Sequence, residues 1–166
     1  MNIKRNILLN PGPATTTDTV KRAQLVPDIC PREREFGELM RDLGADLLKV
    51  VHANETEWTT VLFCGSGTIA MDACVSSLVP ADGKLLIVNN GAYSARAAEM
   101  ARAYSVPHID LKFPIDGLPD LAEVERTLIE HPDITAVYTT HQETGTGILN
   151  PVREIGALAH AHGAIM

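Results

Sequence analysis

Between Glu33 and Val51 the apolar residues Phe36, Met40, Leu43, Leu47 and Val50 step by four, three, four and three. That spacing keeps the side chains on one face of a helix and predicts an amphipathic helix over 33–51. Beyond it the rhythm changes to short β-rich runs separated by helical segments. Strands are expected over 59–63, 85–89, 106–110 and 134–140, and helices over 68–78, 94–104, 118–130 and 151–162. In the 118–130 segment Leu118, Leu121, Val124 and Leu128 form one stripe. The last helix opens with Asn150 as its expected cap and Pro151 in its first turn, and Gly163 closes it. Such regular alternation of strands and helices predicts an α/β fold with a mostly parallel sheet flanked by helices.

The two ends of the chain read differently. Residues 6–16 form a short apolar arm that runs into a tight turn, because Pro11 and Pro13 forbid regular hydrogen bonding around Gly12. At the other end, Ala164-Ile165-Met166 has the look of a further buried strand just beginning. Natural boundaries fall in exposed polar linkers, so the expectation is a fragment of a longer protein. It would consist of an arm over 1–16 and an incomplete large domain over 17–166.

Composition narrows the class of ligand. Hydrophobic residues make up 45% and charged residues 21% of 166, the balance of a globular domain without repeats. A net charge of −7 and a pI near 5.3 argue against nucleic acid and anionic membranes as partners. Small molecules are the expected ligands. Ile7-Leu8-Leu9 is too short for the apolar core of a signal peptide, and no run reaches membrane-spanning length. Cys30, Cys64 and Cys74 are odd in number and make no metal-ligand spacing, which fits reduced thiols in a cytoplasmic protein and no metal site.

Three segments carry candidate chemistry, each after an expected strand. Cys64-Gly65-Ser66-Gly67-Thr68 leads into a helix, so backbone amides, two hydroxyls and a positive helix end converge in a phosphate cup. A merely tight strand-to-helix turn is the alternative; the lysine of a P-loop and the three glycines of a dinucleotide site are both absent. Asn89-Asn90-Gly91-Ala92-Tyr93 sets an aromatic ring where it can lie over a flat ligand, or simply pack. The third segment runs from Thr139 to Pro151 and is polar where burial is costly. His141, Glu143, Thr144 and Thr146 must therefore line a wet site or pair with one another; for His141 a hydrogen-bonded ring within the loop is the simpler reading. Arg32 and Arg34 beside Glu33 and Glu35 read most simply as a solvated helix start, with one arginine reaching an anionic ligand as the alternative, and His160 and His162 point in different directions.

In order along the chain, Asn10-Pro11-Gly12-Pro13, Gly65-Ser66-Gly67-Thr68, Asn90-Gly91-Ala92-Tyr93, Thr140–Gly147 with Asn150-Pro151, and Leu158–Gly163 resemble the class V aminotransferases of fold type I. This group includes alanine–glyoxylate, serine–pyruvate and 2-aminoethylphosphonate–pyruvate aminotransferases. The resemblance implies a homodimeric enzyme that uses pyridoxal 5'-phosphate, with Ser66, Gly67 and Thr68 on the cofactor phosphate, Tyr93 stacked on the pyridine ring and Thr144 near the phenolic oxygen. It implies an amino donor and a 2-oxo acid as substrates. 2-Aminoethylphosphonate and pyruvate, as in phosphonate catabolism, are the expected pair. Alanine–glyoxylate or serine–pyruvate exchange is the alternative within the class, and a non-catalytic phosphate-ligand domain the alternative outside it. The family's ring-nitrogen aspartate, Schiff-base lysine and carboxylate-binding arginine are not matched by any residue of this chain. Residues 1–166 alone are accordingly expected to be inactive, with no catalytic residue among them.

Overall fold

The computed structural model describes residues 6–166, which divide between Cys64 and Gly65 into two compact units. In the first, the arm bends at residues 10–13, and the Leu8 amide donates to Thr15 Oγ1 at 2.7 Å. A short helix α1 (Asp18–Arg22) is capped by Thr17, whose side chain accepts from the Val20 amide. Helix α2 (Arg34–Val50) is the expected amphipathic helix. Arg34 Nε lies 2.7 Å from Glu38 Oε1 in an exposed i,i+4 pair, as a solvated helix start requires. Only Leu48 of α2 is buried, so most of the apolar stripe stays open.

The strand expected over 59–63 does not form. Among the described residues the first unit has no strand at all, and Val61 and Phe63 are exposed. A strand exists only through the ladder it makes with a neighbour. Here the segment instead gives a side-chain bond, Thr60 Oγ1 donating to the Gly44 carbonyl of α2 at 2.9 Å.

The second unit opens with helix α3 (Gly67–Ser77) and alternates from there: β1 (Lys84–Asn89), α4 (Ala92–Ala103), β2 (His108–Lys112), α5 (Leu121–Glu130), β3 (Ile134–Thr139) and α6 (Val152–Ala161). The strands form one parallel sheet in the order β2-β1-β3. Central β1 buries every residue after Lys84, as a strand covered on both faces must. Its alternation sends Leu86 and Val88 into a core with Val124, Leu128, Ile155 and Ala159 of α5 and α6. Leu85 and Ile87 point the other way, to Val75 of α3 and Ala97, Ala98 and Ala101 of α4. The sheet is thus a middle layer between two pairs of helices. A register shift opposite Lys84/Leu85 changes the phase of β3, so that Ile134 and Val137 share one face despite odd spacing.

Gly163 closes α6 with φ +78°, a conformation that glycine adopts without penalty, and the Ala164 amide returns to the Ala159 carbonyl. Ile165 then bridges Ala136 in parallel, donating to Thr135 O and accepting from Val137 N. Of the expected buried strand, the described residues show this single bridge beside β3, with Ala164 buried and Ile165 and Met166 exposed.

Two boundary expectations are corrected. Leu118 lies outside α5 and is exposed, because Asp120 caps that helix by accepting from the Ala122 amide. Asn150 does not cap α6; Pro151 takes that place, and the Asn150 side chain turns inward to bonds worth more in a buried setting.

Candidate functional site

The crevice of an open parallel sheet lies where successive connections leave for opposite faces, at the carboxyl ends of the strands. β1 and β3 are neighbours; the chain leaves β1 for α4 on one face and leaves β3 for α6 on the other. The loops 90–93 and 140–150 therefore flank the switch point. Tyr93 comes from the first and Thr144 from the second.

These loops are clasped together by polar groups. Asn90 Nδ2 donates to Asn150 Oδ1 at 2.8 Å and to the Gly117 carbonyl at 3.1 Å, while Asn150 Nδ2 donates to Asn90 Oδ1 at 3.0 Å and to the Thr140 carbonyl at 2.7 Å. All four amide hydrogens of the buried pair are used, and each oxygen accepts once. Nearby, Ser94 Oγ and Thr140 Oγ1 are 2.9 Å apart. Asn89 Nδ2 donates to Asp110 Oδ1 at 2.7 Å, and its oxygen accepts from the Gly91 amide, which fixes the exit from β1.

Glu143 shapes the second loop from within. Its amide and carbonyl pair with Ile148 O and Gly147 N, and its Oε1 accepts from the Gly145 amide at 3.1 Å. The side chain is 1% exposed, and its Oε2 has no hydrogen-bond partner among the described residues. It rests on Gly91, where an added Cβ would collide with the carboxylate. With Glu143 inside, His141, Thr144 and Thr146 are left exposed. The expectation of a hydrogen-bonded His141 ring is corrected: among the described residues its one hydrogen bond is through its carbonyl, which accepts from the Asn150 amide. Behind the loop, burial pushes the Tyr138 phenol above its ordinary value against a smaller lowering from Thr140, and the Glu143 charge adds to the rise.

The turn before α3 is open by contrast. Ser66 stands at the N-cap with extended backbone but makes no capping bond, and both Ser66 and Gly67 are exposed. Thr68 Oγ1 accepts a long hydrogen bond, 3.4 Å, from Arg96 Nη1 of α4. The same guanidinium lies 5.1 Å from the centroid of the Tyr93 ring, within cation–π range. Farther along, Tyr104 OH donates to Asp72 Oδ1 at 2.8 Å, a bond that raises the phenol's pKa and fastens α4 to α3 a second time.

Of the five residues expected at the site, Thr68 and Tyr93 are thus joined through Arg96, with Ser66 and Gly67 on the same turn as Thr68. Thr144 is tied to Tyr93's turn one step back, through Glu143 on Gly91. Arg96 and Glu143 were not assigned these roles from sequence. The signal for Arg96 was its place three residues after Tyr93, hence on the same helical face. The packing of Glu143 on Gly91 joins residues distant in sequence and left no local signal.

An open helix N-terminus with hydroxyls suits a phosphate, and a half-buried aromatic ring suits a flat heterocycle. Among the described residues, no helix is long and apolar enough to cross a membrane and no cluster of His, Cys, Asp or Glu suits a metal ion.

Comparison with known proteins gives a family and a fold. The family model "Aminotransferase class-V" matches residues 25–166. A 2-aminoethylphosphonate–pyruvate transaminase from Lactiplantibacillus plantarum is 39% identical over 96% of this chain and 43% of its own length. A bifunctional phosphonoacetaldehyde hydrolase/aminoethylphosphonate transaminase from Clostridioides difficile is 38% identical over 96% of this chain and 25% of its own length. Among solved structures, pyridoxamine–pyruvate aminotransferase from Mesorhizobium loti superposes with a TM-score of 0.85 at 27% identity, over 96% of this chain and 40% of that one. The chain spans less than half the length of these relatives.

Proposed function

Because the chain belongs to the class V aminotransferase family, whose members depend on pyridoxal phosphate, we propose that it is the cofactor-cradling part of an aminotransferase. That enzyme moves an amino group from 2-aminoethylphosphonate to pyruvate, giving phosphonoacetaldehyde and alanine. The names of the similar curated proteins support this substrate pair. The observation that carries the cofactor reading is the junction at Arg96, where the open turn of α3 and the ring of Tyr93 are held by one guanidinium.

In this reading Ser66, Gly67 and Thr68 hold the phosphate with amides and hydroxyls. Tyr93 covers one face of the pyridine ring, and Thr144 offers a hydroxyl toward the phenolic oxygen. Bound pyridoxal phosphate supplies the electron sink that transamination needs. The chain's own contribution is to bind and orient. The α3 terminus compensates anionic charge, the clasped loops keep Tyr93 and Thr144 in fixed register, and the Tyr93 ring excludes water from the face it covers. The lysine and aspartate on which the family's chemistry depends are proposed to come from outside residues 1–166, so that 17–166 form an incomplete large domain behind an arm over 1–16. A cytoplasmic homodimer completes the proposal.

The test uses the full-length protein, reconstituted with pyridoxal phosphate and given 2-aminoethylphosphonate and pyruvate. Stoichiometric alanine and phosphonoacetaldehyde are expected. Turnover with alanine and glyoxylate, or serine and pyruvate, in preference to this pair would overturn the substrate assignment. Failure to bind the cofactor at all would leave a phosphate-ligand domain of another kind. Sedimentation of the same sample tests the dimer.

A further inference from the structure

The 65–68 turn offers a phosphate dipoles and hydroxyls but no cation, since it contains neither lysine nor arginine. A dianionic phosphate held only by neutral donors makes hydrogen bonds charged on one side alone and lacks the ion pair that a cationic donor adds. A cation does reach the turn from the neighbouring helix, through the bond of Arg96 to Thr68. Three observations describe its state. Its bond to Thr68 Oγ1, at 3.4 Å, is longer than the usual 2.7–3.2 Å of such bonds. Among the described residues no carboxylate pairs with it, in a chain whose net charge is −7. Its guanidinium carbon lies 5.1 Å from the Tyr93 ring centroid, and of its donors only Nη1 has a hydrogen-bond partner among the described residues.

We infer that Arg96 is the cation of the phosphate site: from the stacking helix it supplies the charge that the 65–68 turn lacks, and it ties that charge to the ring of Tyr93. The inference rests on the cofactor reading above and adds a residue to it. The long bond to Thr68 is weak enough to be exchanged for a phosphate oxygen. The contact with Tyr93 keeps the guanidinium from swinging into solvent in the meantime. One side chain thereby couples the two halves of recognition, phosphate and ring.

The experiment compares pyridoxal 5'-phosphate with pyridoxal, which lacks the phosphate, in titrations of the full-length apo-protein and of its Arg96→Gln and Arg96→Lys forms. Arg96 is exposed, so both variants should fold, which circular dichroism checks. Loss of a charged hydrogen bond is expected to weaken pyridoxal phosphate about tenfold or more in Arg96→Gln. Pyridoxal should change by no more than about twofold. Lysine keeps the charge but not the planar edge, so Arg96→Lys should recover part of the loss. An unchanged ratio of the two affinities in Arg96→Gln overturns the inference. If the parent protein itself does not prefer the phosphorylated form, the phosphate-site reading fails first. If the parent does prefer it and Thr68→Ala reduces that preference while Arg96→Gln does not, the cofactor reading survives and only the role of Arg96 is lost.

Discussion

The turn that opens α3 and the loop that follows β3 both reach the start of α4, the first through Arg96 and the second through Thr140 on Ser94. They are built on opposite terms. The turn leaves Ser66 and Gly67 exposed and makes no side-chain cap. The loop ties most of its buried groups inside the unit: Asn150 to Asn90 and Thr140, and Glu143 Oε1 to Gly145. The contrast separates two jobs that a binding site must divide. Groups meant for a ligand are left open to water in the free protein, and groups meant to hold geometry are buried inside it. Stability should therefore reside in the loop, and affinity in the turn.

The largest effect is expected from breaking the clasp. Asn150→Ala leaves the Thr140 carbonyl, the Asn90 oxygen and one Asn90 N–H without partners. At about 1–3 kcal/mol for each buried polar group left unpaired, a loss of roughly 3 kcal/mol or more is expected. Urea unfolding of the variant beside the parent measures it. A loss below about 0.5 kcal/mol, the range of an ordinary surface change, would mean that the clasp does not hold the loop.

Next in size is the contact between Gly91 and Glu143. Gly91 has extended backbone that any residue adopts (φ 178°), so the demand for glycine is one of space and not of backbone strain. Gly91→Ala should cost about 1–3 kcal/mol by overpacking. In a double-mutant cycle with Glu143→Ala the two changes should be strongly coupled, because removing the carboxylate makes room for the methyl group. Additive losses would show that the clash is relieved elsewhere.

These long-range contacts also mark where the sequence stopped being informative. The strands over 84–89 and 134–139 and the helices around them were legible because their apolar periodicity is local and their core partners lie within the unit. The 59–63 segment carries the same β-rich composition, yet a ladder requires a partner, and composition does not reveal whether one is present. The same limit applies to α2: its period of three and four specified the helix correctly, but only Leu48 is buried. At the site, Ser66, Gly67, Thr68 and Tyr93 were visible as a turn chemistry and an aromatic at a helix start. Asn150 was misread as a cap because Asn before Pro is a local signal for one, whereas its actual partner, Asn90, is 60 residues away.

A smaller effect sharpens the turn's side of the comparison. Removing a capping side chain ordinarily costs about 1 kcal/mol. Asp120 makes its cap and Ser66 does not, so Asp120→Ala should lose about 1 kcal/mol, whereas Ser66→Ala should stay within about 0.5 kcal/mol. Ser66→Ala should nonetheless weaken pyridoxal phosphate several-fold, at the scale of about 1 kcal/mol for a neutral hydrogen bond. Equal losses of stability in the two variants would mean that Ser66 serves the helix and not a ligand.

The smallest effect belongs to the far end of the sheet, where Lys84 Nζ at the start of β1 lies 2.8 Å from Asp133 Oδ2 just before β3. The lysine's hydrogen bond, and then its charge, hold the Asp133 carboxyl below the ordinary aspartate value. A depressed carboxyl contributes stability above its unfolded pKa and loses it as the pH falls through the lower folded value. The stability gap between the parent and Lys84→Met should therefore be constant at neutral pH and close below about pH 4, where aspartate in the unfolded chain also takes up its proton. Both ends of the pair are partly open to water, so the gap should be small throughout. Urea midpoints at pH 7 and pH 3 decide the matter: a gap of the same size at both would assign it to the lysine's aliphatic packing and not to the ion pair. Because this pair sits at the amino ends of the strands, Lys84→Met should also leave the affinity for pyridoxal phosphate unchanged. A change there would mean that the clasped loops are not the sole keepers of the site's geometry.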